Sequence, residues 1–243
     1  MTTRMLTVML VLSCSVLLRA QSDDLFVNAA RPIAMMAEKI EQQTRWPITY
    51  EDPSYQYAGD YREFPDKLTY GGRAFVLHNV PFVFTLDAEK RKDVVKAVRE
   101  LAEEFETRTG GQKFRVIAEK GYIHIVPQLN RDKQGTWAEQ RPMLDTRVSI
   151  AAGKRNLAQI LAELKQEVSR ASERGLYIGA LPMNVMMNTE VELPAFKNTQ
   201  ARAILREALS RAPVKLSWQL WGGPGDEDQF LNVHVVGTRG GDK

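Results

Sequence analysis

Apolar residues recur every three or four positions in four stretches of the chain, and each stretch predicts an amphipathic helix with one buried face. Ile33, Ala37 and Ile40 mark the first, and Val94, Val98, Leu101 and Phe105 the second. The third carries Leu157, Ile160, Leu161, Leu164 and Val168, and the fourth Ile204, Leu205, Ala208 and Leu209. Short alternating or wholly apolar runs follow each helix, at Ile48–Tyr50, Phe114–Ile117, Tyr177–Ala180 and Lys215–Leu220. These read as strands. Asn198 or Thr199 is expected to cap the fourth helix, with Pro194 keeping the segment before it extended.

Both halves of the chain therefore read helix, strand, strand, helix, strand, strand. They also end alike, with Ile123-His124-Ile125-Val126 closing the first and Val233-His234-Val235-Val236 closing the second, 110 residues later. The same spacing separates helix starts near Ala88 and Asn198. The pattern predicts an α+β protein of two related modules, with helices packed on small mixed sheets. The first module is expected over 21–127 and the second over 146–237. Residues 128–145, rich in polar side chains with little periodicity, read as a linker, and 238–243 as a frayed tail. His124 and His234, each between apolar neighbours, are expected to face away from the core of their own module.

The N-terminus predicts export. Arg4 precedes an apolar stretch from Met5 to Leu18, too short for a good membrane span, and Leu18-Arg19-Ala20 followed by Gln21-Ser22-Asp23-Asp24 reads as a cleavage site. Residues 1–20 are thus expected to be a signal peptide, and the protein periplasmic or secreted after cleavage near Ala20. An uncleaved anchor is the alternative, and lipidation at Cys14 a third possibility. Cys14 is the only cysteine, so cleavage removes disulfide, thiol and thiolate-metal chemistry together. The whole chain carries a formal charge of +3, and the leader takes Arg4 and Arg19 with it. A nearly neutral mature chain argues against nucleic-acid binding or a charged membrane-surface role. No membrane span is expected in it.

The stretch Val191-Glu192-Leu193-Pro194-Ala195-Phe196, the helix Asn198–Leu209, the strand Lys215-Leu216-Ser217-Trp218 and the closing Asn232-Val233-His234-Val235 together resemble the short secretin and TonB N-terminal domain family. The resemblance covers residues 191–236 and rests mostly on apolar spacing. It implies a strand and a helix leading into a strand pair, in a module that binds other envelope proteins and carries no catalytic residues. Members of that family usually precede a β-barrel or a secretin pore, which this sequence does not contain. The first half, with Trp46-Pro47-Ile48-Thr49-Tyr50-Glu51-Asp52-Pro53, resembles exported proteins of unassigned function.

Candidate chemistry concentrates between Tyr50 and Tyr70, which hold five of the seven tyrosines. Tyr55, Tyr57, Tyr61 and Phe64 are the candidate binding residues, because flat rings with polar tips suit partner proteins, peptides or glycans. The competing reading folds this segment back so that the rings complete the core. Met183, Met186 and Met187 offer thioethers to Cu(I), but no histidine or cysteine lies within the run, and they read as gap-fillers under the third helix. His78, His124 and His234 are too far apart in sequence for a local metal motif. Asp226-Glu227-Asp228 after Gly222-Gly223-Pro224-Gly225 reads as a solvated turn. No cofactor and no metal are expected. No nucleophile elbow, zinc-protease helix or phosphate loop is present. The sequence therefore predicts a non-enzymatic exported protein that binds an envelope protein, with an envelope hydrolase or carbohydrate-binding protein and a small-ligand carrier between the halves as alternatives.

Overall fold

The computed structural model describes residues 23–64, 74–225 and 227–237. The expected leader with Cys14, Tyr70, Asp226 and the expected tail 238–243 lie outside them. In the first half β1 (Asp24–Ala29) leads into α1 (Pro32–Thr44) and β2 (Ile48–Glu51), then the short strands β3 (Tyr61–Glu63) and β4 (Phe75–Leu77). It continues through β5 (Val80–Thr85), α2 (Ala88–Lys92), α3 (Val94–Thr109), β6 (Phe114–Glu119) and β7 (Tyr122–Pro127). A small hairpin of β8 (Leu129–Arg131) and β9 (Trp137–Glu139) follows. The second half runs β10 (Arg147–Ile150), β11 (Gly153–Asn156), α4 (Leu157–Ser172), β12 (Leu176–Ile178) and α5 (Met183–Asn188). It closes with β13 (Glu190–Leu193), β14 (Phe196–Gln200), α6 (Ala201–Leu209), β15 (Leu216–Gly222) and β16 (Gln229–Val235). The architecture is α+β, helices on small mixed sheets, and the first half places one strand, the second two, ahead of the expected series.

The helices form where local signals agree. Asp93 caps α3 by accepting from the Lys96 N–H at 3.0 Å, and Gly110, at φ 70°, ends it in the left-handed conformation that glycine adopts without steric cost. Asn156 and Gln159 close a reciprocal capping box on α4. The start of α6 differs from the expectation. Residues 196–200 pair with β10, Asn198 sits at φ 46° within that strand, and neither Asn198 nor Thr199 caps the helix. Pairing with β10 extends the chain through the residues that would have made the first turn.

A single six-stranded sheet, ordered β12-β16-β15-β2-β7-β6, runs through both halves. Each half contributes three strands: an antiparallel hairpin, and the strand after the first helix lying parallel to the hairpin's second strand. The halves meet where β15 runs parallel to β2, with Gln219 opposite Tyr50 and Leu220 opposite Glu51. Ile48, Tyr50, Ile123 and Ile125 belong to the core under α1 and α3, whereas Trp218, Leu220, Leu231 and Val233 belong to the core under α4 and α6. Leu220 shares its face with Glu51, which alternates with Tyr50, so the two cores lie on opposite faces of one sheet. The strand directions make the halves related by a half-turn about an axis across the strands plus a shift of three strands. The segment expected as a linker contains β8 and β9 and a 3₁₀ turn, Met143–Asp145, which buries Met143 and Leu144 in the second core.

Candidate binding cavity and the module junction

The tyrosine-rich segment divides by position on the sheet. Tyr50 lies within β2 and is buried in the first core, while Tyr55, just past the strand, is buried with its hydroxyl donating to Asp52 Oδ1 at 3.2 Å. Tyr57 is half-buried under the Arg131 guanidinium, 5.5 Å from its ring centre. Tyr61, also half-buried, packs edge-on against Phe75 across the β3–β4 pair. Phe64 is exposed at the end of the described stretch. Core completion therefore claims Tyr50 and Tyr55, and the remaining candidates surround rather than form one surface.

Beside them is a cavity of about 300 Å³. Its walls come from the N-terminus of α1, the C-terminal end of α3, the start of β6, the residues after β2 and the β8–β9 hairpin. Phe105, Phe114, Tyr55 and Trp137 supply ring surface, and Arg31, Arg108 and Arg131 supply cations. Asp52, fully buried, receives Arg31 Nε at 2.5 Å and the Gly222 N–H at 2.9 Å, both on Oδ2. Burial raises the Asp52 pKa, with Arg31 opposing that shift. Asp60 receives Arg131 NH1 at 3.2 Å. Arg31 also donates to the Gly222 carbonyl and lies 5.2 Å from the centre of the Trp221 ring, so this end of the cavity is tied to the second module.

The junction carries an unusual number of buried charges. Arg202 on α6 donates to Glu51 Oε1 through Nε at 2.8 Å and NH2 at 2.6 Å, and also to Asp145. Arg206, one turn on, pairs with Glu119. Glu41 on α1 accepts from the Ile48 N–H through Oε2 and meets His234 Nε2 through Oε1 at 2.7 Å. Burial lowers the His234 pKa, but the hydrogen bond and charge of Glu41 outweigh it and the net shift is upward. His124 stands 2.8 Å from Thr49 Oγ1, stacks on Tyr122, and is held neutral, its pKa pushed down to about 3 by burial and by Arg202 and Arg206. Both histidines point away from their own module's helices, and each is covered by the other module.

The remaining sequence candidates do not converge. Met183 and Met187 are exposed on α5 and Met186 is buried beneath α4, and no cluster of three or more His, Cys, Asp or Glu side chains among the described residues could hold a metal ion. A second, largely apolar cleft at the seam is lined by Trp46, Pro47, Tyr122, Leu209, Pro213 and Val214. Tyr177, Phe230 and Trp221 form an exposed row across β12, β16 and β15, on the sheet face opposite α4 and α6. No helix among the described residues is long and apolar enough to cross a membrane. The arginines of the cavity and junction gave no sequence signal, because Arg202 and Arg206 at i, i+4 spacing look like a solvent-facing stripe. No protein-family model, no curated protein and no solved structure matches the chain.

Proposed function

We propose that this chain is an exported, non-enzymatic adaptor that binds another envelope protein by taking up a strand at an open edge of its sheet. The observation that carries this reading is the junction itself: one module recognises the next by laying β15 parallel to β2. Among the described residues, the six-residue strand β6 ends the sheet on one side with only β7 beside it, and β12 ends it on the other. An unpaired edge offers a row of backbone donors and acceptors to an incoming strand. Residues 190–235 run strand, strand, helix and strand pair, one strand more than the short-domain resemblance implies, and the signal-like N-terminus of the sequence supports export.

A photocrosslinking residue placed in living cells at Arg115 on β6, at Tyr177 on β12, or at Gln166 on the exposed face of α4 tests the proposal. Edge positions should yield a discrete adduct with one envelope protein, and Gln166 should not. Equal adducts at all three positions, or none at either edge, would sink it.

A further inference from the structure

The charges lining the cavity do not cancel. Arg31 is matched by Asp52 and Arg131 by Asp60. Arg108 makes no ion pair with any described residue, and its guanidinium is steadied instead over Phe82, 5.0 Å from the ring centre. Beside it Ile33, Leu77, Val80, Phe105 and Phe114 supply apolar wall, interrupted by polar side chains such as Gln112. One surplus cation beside ring and aliphatic surface is the complement of a monoanion with an apolar body. A guanidinium meets a carboxylate through two parallel N–H bonds, whereas a dianion would leave a second charge facing rings. A volume of about 300 Å³ is on the order of ten water volumes. That room suits a ligand of roughly ten non-hydrogen atoms.

We propose that the first module binds a small carboxylic acid with an aliphatic or aryl body, Arg108 holding the carboxylate at the mouth and the apolar wall holding the body. This inference does not depend on strand addition at the edges, because the cavity walls, drawn from the first module and the β8–β9 hairpin, are complete without an added strand.

The test is calorimetry and amide-resolved NMR on the purified protein with octanoate and 3-phenylpropionate, each against its uncharged amide. The acids should bind and shift the indole N–H of Trp137, a wall residue. The amides should bind roughly tenfold more weakly or worse, as expected for loss of a charged hydrogen-bonding partner. Arg108→Gln should abolish the preference for acid over amide, and Arg108→Lys should keep part of it. Melting should hardly change in either variant, because Arg108 is exposed. Equal binding of acid and amide, an unchanged preference in Arg108→Gln, or no binding by either acid at millimolar concentration would each overturn the proposal. Failure of edge crosslinking would leave it standing, and its failure would leave the adaptor reading standing.

Discussion

Arg202→Met should be among the most damaging single changes in the protein. Arg202 is almost wholly buried, and it supplies both hydrogen bonds to Glu51 Oε1 and one to Asp145. Removing the guanidinium leaves the Glu51 carboxylate buried without its countercharge, which costs about 3–5 kcal/mol. Asp145 suffers less, because it keeps Arg115 at 3.3 Å and is partly exposed. In a domain of this size such a loss lowers the melting temperature by about 10 °C. Burial raises the Glu51 pKa and Arg202 opposes that rise, so the variant's Glu51 should be shifted further up. A folded state that holds a proton more tightly than the unfolded chain gains stability as pH falls through the folded pKa. Urea denaturation of wild type and variant at neutral pH and again about two units lower should therefore show the gap narrowing in acid. Arg202→Met combined with Glu51→Leu should recover most of the loss, since an apolar pair can replace a buried ion pair at little net cost. A single variant within about 1 kcal/mol of wild type, the range of an exposed pair, or a gap that widens in acid, would refute the reasoning.

The same arginine shows where sequence reading stops. Helix faces were legible because each core contact recurs with the helical period: Val98, Leu101 and Phe105 are all buried as the pattern requires. Strands with strong apolar runs, such as Ile123–Val126, were legible for the same reason. β1 was not, because Leu25 and Val27 point inward while Phe26 is exposed, and the run follows closely on the stretch expected to be a leader. The polar segment 128–145 looked like a linker because its hairpin is held by backbone pairing, which leaves little trace in side-chain periodicity. Of the candidate residues, Tyr55 lines the cavity, but the cavity's cations come from residues 31, 108 and 131, brought together only by the fold. Arg202, Arg206 and Glu51 have the spacing of a solvated surface, and sequence cannot distinguish a face that meets water from one that meets a second module.

Further consequences of the junction and the cavity are open to direct measurement. His124 should show no titration by NMR above about pH 4, because its pKa is pushed to about 3, whereas His234 should titrate above the ordinary histidine value. The signs are opposite: His124 costs stability as pH falls below its unfolded pKa, and His234 contributes stability below that value which is lost as pH rises through its raised one. Tyr55→Phe should cost about 1 kcal/mol in urea denaturation by removing one donor to buried Asp52. Tyr57→Phe, which keeps the half-buried ring under Arg131, should cost less. The chain should also remain monomeric by light scattering, for a reason the junction supplies. A second copy docking as the modules do would lay its β6 beside β12, the counterpart of β2. Yet β2 ends in Glu51 followed by Asp52, which key Arg202 and Arg31, whereas β12 is followed by Gly179 and Ala180. With no carboxylate there to receive an arginine, that edge lacks what locks one module to the next, and concentration-dependent chains of the protein would show that backbone pairing alone suffices.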